Sequence, residues 1–432
     1  VAGPAARRPV VLPGAGRGLL KPAPLRHLRA SDLRGVTQLA TAATQGVATM
    51  AEGVHQAVLS TLGAPAHPAS AARTRGVTGF VYRTVHGVTE LVSKGLQATF
   101  TRLEPLLESL VDAPEETPER EAVLAALNGV LGDRLAQTHN PLATPMTLRW
   151  QGQPLNPQAM PPMPGATGKV LLMIHGLCMN DLQWRTAPRN DGSPVCDHAA
   201  ELAKACAYTP VFLRYNTGRH ISDNGHDLAA LLEQVLAYWP VPVQELAVVA
   251  HSMGGLVMRS AVHAAQRDNR HWPQHLKALV FLGTPHHGAP LEKAGNWVDT
   301  VLGITPFSRP FAKLGQVRSA GITDLRHGCV LEADWQGRDR FARSRDPRHP
   351  LPLPAGVACY TVAATTAAQR SALAERLVGD GLVPLPSALG QHADPHHQLA
   401  FAKDHQAILY RTGHMALLHS PAVTQKLLGW LT

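Results

Sequence analysis

The stretch Leu246–Val262, LAVVAHSMGGLVMRSAV, sets a short apolar run before a serine flanked by small residues and continues into a helical pattern. The expected structure is strand, sharp turn, helix. A serine at such a turn sits in a strained backbone conformation with its hydroxyl pushed out of the sheet edge, so the residues two before and two after it must be small. Ala250 and Gly254 meet that requirement. The helix aims its free N–H groups back at the serine, and the amide of Met253 is placed to hold a developing oxyanion. Ser252 is therefore the candidate nucleophile. The competing interpretation is a glycine-rich helix start with a structural serine, and the rest of the chain decides between the two.

Working outward, Thr147–Trp150 and Lys169–Ile174 read as strands separated by the loop GQPLNPQAMPPMPGATG. Apolar runs then alternate with helical patterns: Val211–Tyr215, a helix over Ser222–Tyr238, the strand at Leu246, the helix at Gly254, and Leu276–Leu282. This alternation predicts an α/β fold with a mostly parallel sheet and helices on both faces. Before it, Ser31–Leu62 and Val77–Leu107 carry apolar residues at steps of three or four, with Ser31 as an expected N-cap, and a third helical pattern begins at Thr117-Pro118. The expected organisation is a flexible basic arm over 1–30, a helical region over 31–146, and a catalytic domain over 147–432.

Composition bounds the alternatives. The 432 residues carry a net charge of +9, with 45% hydrophobic content and no apolar run long enough to span a bilayer. Residues 1–112 hold twelve Lys and Arg against six Asp and Glu, a net of +6, so the N-terminal region is a solvated tail and packing surface or a contact for a lipid or polyester surface. No nucleic-acid motif is present. Five cysteines lack C-x-x-C spacing, which argues against a disulfide framework and fits a reducing compartment, with a single Cys196–Cys206 bridge left open. The expected location is cytoplasmic, peripheral attachment to a membrane or granule being left open. Because the sequence begins without Met, secretion is left open too.

At the end of the Lys169 strand stands His175-Gly176-Leu177, where the glycine lets the chain turn close to the active centre and the amide of Leu177 can serve as a second oxyanion donor. IHGL (174–177), AHSMGG (250–255) and LGTPHHGAP (282–290) together resemble the α/β-hydrolase fold, and within it bacterial lipase and esterase families related to triacylglycerol lipases. The resemblance covers residues from about 147 to the end. It implies ester hydrolysis by a serine, a histidine and a carboxylate in that fold's chain order of Ser, acid, His.

Position selects the histidine among 23. His414 follows the final apolar strand, Ala407–Tyr410, on the loop before a closing helix capped at Ser420-Pro421, where the base belongs. His405 and His419 read as structural. His251 adjoins the nucleophile with its side chain expected to point away from the face Ser252 presents, and His286 and His287 read as bonding loop backbone. For the acid, Gly379 and Gly381 free the backbone around Asp380, and Gly379–Pro384 resembles the G-D-G-x-V-P segment that carries the lipase acid. Asp394 and Asp404 are the alternatives. Both lie in a polar run that also holds His392, His396, His397 and His405, but no spacing there matches a metal site, so neither metal nor cofactor is expected. An insertion at about 285–356, with Trp297, Val301, Phe307, Phe311 and Leu314, is placed to act as a lid over the acyl pocket.

The reading is a serine carboxylic-ester hydrolase of lipase or esterase type, with Ser252, His414 and Asp380 as triad and the amides of Leu177 and Met253 as oxyanion hole. Depolymerisation of a polyester such as polyhydroxyalkanoate, with the N-terminal helices on the granule, is the alternative within the reaction class. A catalytically silent binding protein on the same fold is the alternative outside it.

Overall fold

A computed structural model describes residue 29 and residues 31–42, 116–185, 196–289, 319–337, 348–368 and 379–432. The chain divides into two compact units, Val1–Glu116 and Thr117–Thr432. In the first unit a helix, α1, runs over 31–42, beginning at Ser31 itself. The Arg29 amide donates to Asp32 Oδ2 at 3.0 Å just before it. The continuation expected to Leu62, the second helical pattern and the basic arm lie outside the described residues.

The second unit opens with helix α2 (Pro118–Gln137), which Thr117 caps by accepting from the Arg120 amide. The strands are β1 (Thr147–Trp150), β2 (Gln153–Pro154), β3 (Lys169–Ile174), β4 (Thr209–Arg214), β5 (Glu245–His251), β6 (Leu276–Leu282), β7 (Ala358–Ala364) and β8 (Gln406–Leu409). They form one sheet in the order β2-β1-β4-β3-β5-β6-β7-β8, antiparallel at β1 and parallel from β4 to β8. Between them lie α3 (His198–Cys206), α4 (Ile221–Ala237), α5 (Met253–Arg267), α6 (Ala320–His327), α7 (Leu385–Ala388) and α8 (Pro421–Leu431).

The central strands are continuous apolar runs over Val170–Ile174, Leu246–Ala250 and Ala278–Leu282 because both of their faces are covered. Leu172, Ile174, Val248 and Ala250 pack under α4 and α5 with Leu228, Leu232, Leu256 and Val257. Leu171, Met173, Ala247 and Val249 face Leu202 of α3 and Val423 and Leu427 of α8. The expected strands and helices around Ser252 are therefore present, shifted by a residue or two at some ends. Four elements escaped the sequence reading: α3, α7, the edge pair β2 inside the proline-rich loop, and β7. Of the expected lid, α6 is a capped helix whose Ile322 and Leu325 join the core. The apolar segment from Trp297 to Leu314 lies outside the described residues. All five cysteines are free thiols, Cys196 and Cys206 included. Among the described residues no helix is long and apolar enough to cross a membrane.

The texture of the sequence changes at Thr147, but the compact unit begins at Thr117, because α2 is built into it through small residues and buried charge. Gly129 lies against Cys178 and Gly132 against Asn216, so closely that a β-carbon at either would collide. Asn180 Nδ2 donates to Glu121 O at 3.0 Å, Asn216 Nδ2 to Gly132 O at 2.8 Å and Ser319 Oγ to Gly129 O at 2.7 Å. Glu121 of α2 pairs at 2.8 Å with Arg214 of β4, which also pairs with Asp181, and Arg149 of β1 reaches Asp181 at 3.4 Å. These side chains are all at least nine-tenths buried. Removing one member of such a cluster strands its partners' charge in a poorly solvated site, at a cost of about 3–5 kcal/mol. Glu121→Ala is accordingly expected to lower the urea midpoint of unfolding by that equivalent, whereas a change within 0.5 kcal/mol, roughly what an ordinary surface substitution gives, would mean that the cluster is water-filled.

Candidate active site

Ser252 follows the last residue of β5 with φ 54° and ψ −124°, a left-handed backbone that a residue with a β-carbon adopts only under strain. Its amide donates to Leu282 O at 2.9 Å, tying the turn to the end of β6. The surroundings leave no room for larger neighbours. Ala250 lies in register between Ile174 and Phe281. A β-carbon on Gly254 would come within 2.7 Å of His175 O and of Ile174 Cγ2, and one on Gly176 within 2.9 Å of Ser252 Cβ. The end of β3, the serine turn and the first turn of α5 are thus pressed together, as the small residues of the sequence require.

This contact brings the amides of Leu177 and Met253 to the serine. Leu177 follows Gly176, and Met253 opens α5, where the first N–H groups have no intrahelical acceptor. Among the described residues neither amide donates to an acceptor. Cys178, at φ 57°, fixes the Leu177 loop by donating its own N–H to Thr217 Oγ1 at 3.2 Å.

Asp380 and His414 meet at the same sheet edge. Both are buried, and His414 Nδ1 lies 2.6 Å from Asp380 Oδ2. The other carboxylate oxygen accepts the amides of Leu382 and Val383 at 2.9 and 2.7 Å, and the His414 amide donates to Asp380 O at 3.1 Å. The loop that does this needs Gly379 at φ 49° and Gly381 at φ 95°, conformations open to glycine, which is why two glycines flank the acid. Gly283 joins this pair to the serine: it follows Leu282, the acceptor of the Ser252 amide, and a β-carbon there would stand 3.2 Å from both Asp380 Oδ2 and His414 Cε1. With a carboxylate on Nδ1, the neutral imidazole carries its proton there and leaves Nε2 as a base.

The other candidates sit elsewhere. Asp394 caps the turn at Pro395 by accepting the His396 amide, and Asp404 is exposed. His405 bonds Cys359 O at 3.1 Å. His392 Nδ1 accepts the Asp394 amide, and no group of His, Cys, Asp or Glu among the described residues is arranged to hold a metal ion. The His251 ring lies 4.6 Å from the His414 ring, and its Nε2 bonds His414 O at 3.2 Å. One expectation needs correction: among the described residues the His286 ring nitrogens have no partner, and it is the His286 amide that bonds loop backbone, at Thr284 O and Ser387 O.

Burial holds His175 and His251 neutral. It pushes His175, stacked on Tyr215 at 4.5 Å, down to about 4, and His251 well below its ordinary value. A cavity of 490 Å³ opens among Asp133, Arg219, His220, Asp223, Asp324 and Trp335. Three carboxylates among those residues make it a poor seat for an acyl chain.

Residues 165–355 match the family described as a PGAP1-like alpha/beta domain, a span that contains the serine turn and the Leu177 loop. The mostly parallel sheet with helices on both faces is an α/β-hydrolase-like fold. In this sheet the Ser252 turn follows the central strand β5 and is flanked by β3 and β6, with Asp380 after β7 and His414 after β8. No curated protein matches the chain. Among solved structures it is similar to a lipase of Bacillus licheniformis in mature form (20% identity, TM-score 0.40, 67% of this chain and 98% of that one). It is also similar to the naproxen esterase of Bacillus subtilis (13%, 0.35, 74% and 100%) and to the RedJ thioesterase of the prodiginine pathway of Streptomyces coelicolor (15%, 0.34, 65% and 96%). At these identities and TM-scores none of the three bears on substrate.

Proposed function

We propose that the protein is a serine carboxylic-ester hydrolase of lipase or esterase type. The observation that carries this reading is the buried His414–Asp380 pair, 2.6 Å apart, brought through Gly283 to a serine held at φ 54°. A serine hydroxyl is a weak nucleophile until a base takes its proton. His414 Nε2 removes the proton as Ser252 Oγ attacks the carbonyl carbon, and Asp380 stabilises the imidazolium while fixing its orientation. The tetrahedral oxyanion is held by the amides of Leu177 and Met253, each such donor contributing roughly 10²–10³ in turnover. Collapse returns the proton from His414 to the departing alcohol and leaves an acyl group on Ser252. Water activated by the same histidine then releases the acid.

Two measurements test this. A series of p-nitrophenyl esters from short to long acyl chains is expected to show turnover with a chain-length optimum; folded protein that hydrolyses none of them would favour a silent binding protein. Asp380→Asn is expected to reduce kcat about 10⁴-fold, because an amide donating to Nδ1 reverses the tautomer and removes the base at Nε2. A larger loss at Asp394 or Asp404 would transfer the acid to that residue.

A further inference from the structure

On the far side of the hydrolase domain's β6 loop lies a second cluster, a cavity of only 20 Å³ lined by Arg259 of α5, His286, His287, Asp334, Arg348 and Leu351. Arg259 is 6% exposed and its guanidinium makes no ion pair among the described residues. Its Nη2 donates to Leu351 O at 2.5 Å, while its Nε is buried without a partner. His286 is 1% exposed, with both ring nitrogens unpartnered between the rings of Phe281 and Phe401.

No carboxylate among the described residues pairs with Arg259. Arg348 turns its Nη1 to His286 O, to which it donates at 3.3 Å. Both oxygens of Asp334 are already engaged, by the amides of Val330 and Leu331 on one side and by His349 on the other. Cys359 cannot neutralise Arg259, since burial pushes its thiol up to about 12 and keeps it protonated. Burial and the neighbouring Arg348 lower Arg259 itself only to about 10, so it is charged at neutral pH. An isolated buried cation costs far more than a buried dipole unless a counter-charge accompanies it. A water molecule in the cavity would satisfy hydrogen bonds but leave the charge. The two guanidinium groups in the cavity wall also rule against a metal cation among these histidines.

We propose that this cavity is a binding site for a chloride ion, held by Arg259 and His286. A volume of 20 Å³ is about that of one water-sized site, which admits a monatomic anion. The ion would join α5, the helix that follows the nucleophile, to the loop after β6 and to the segment at Leu351. Binding only to the folded state stabilises it by mass action. The protein is therefore expected to melt roughly 3 °C higher in sodium chloride than in sodium gluconate at equal ionic strength, at a chloride concentration about ten times the dissociation constant. Arg259→Gln should lose that difference. Crystals grown in bromide need no variant and should show an anomalous peak between Arg259 and His286. Equal melting of the native protein in the two salts, or a cavity without an anomalous peak, overturns the proposal.

Discussion

Ser252→Ala is expected to abolish ester hydrolysis, with kcat falling on the order of 10⁵-fold or more, while the protein stays folded. The serine side chain is buried and makes no hydrogen bond among the described residues on which the fold depends; what anchors the turn is its amide, bonded to Leu282 O, and alanine keeps that. Stability and activity should in fact separate at this position. The backbone at φ 54° costs about 1–3 kcal/mol for any residue with a β-carbon. Ser252→Gly should therefore be inactive yet more stable than the native protein, by roughly 1 kcal/mol once glycine's greater unfolded-state freedom is deducted. Stopped assays beside thermal melting of both variants read the two effects independently. Retention of more than a few per cent of turnover in Ser252→Ala would remove the serine from the nucleophile's role.

Acid is expected to unfold the protein well above the pH at which carboxylates titrate. Burial pushes His175 and His198 down to about 4 and holds His251 and His286 well below their ordinary value. Above about pH 6.5 these rings are neutral in both folded and unfolded chains and contribute nothing to the pH dependence. As pH falls through 6.5 the unfolded chain takes up protons that the folded one refuses, so stability is lost progressively down to about pH 4. For His175 alone the loss is on the order of 3 kcal/mol by that point, and four such groups together rival the total stability of a typical domain. A pH series of melting temperatures should fall steeply between 6.5 and 4. A flat profile in that interval would show that water reaches these rings.

The sheet was legible in the sequence because its central strands are continuous apolar runs bounded by turn residues, and Ser252, His414 and Asp380 were legible because each follows such a strand or sits between glycines. What stayed hidden depended on contacts that periodicity does not report. Helix α2 buries Leu127, Val130 and Leu135, but its closest contacts run through Gly129, Gly132, Asn128 and Glu121, so its membership in the second unit could not be read from periodicity. Strand β7, ACYTVAA, mixes small and polar residues and follows proline-rich sequence, while β2 is a two-residue edge pair containing Pro154, where a missing N–H does no harm. The contact of His251 with His414 was not legible either, because a sequence tells which face of β5 a side chain takes but not which distant loop returns across it.

Reaction of the folded protein with a fluorophosphonate, followed by peptide mapping in a mass spectrometer, tests the serine-hydrolase reading most directly. The phosphonyl group can bond only to a nucleophile activated by its neighbours, so the account predicts a single adduct on the peptide carrying Ser252, formed far more slowly in His414→Gln. Folded protein that remains unlabelled, or an adduct on any other serine, would contradict it.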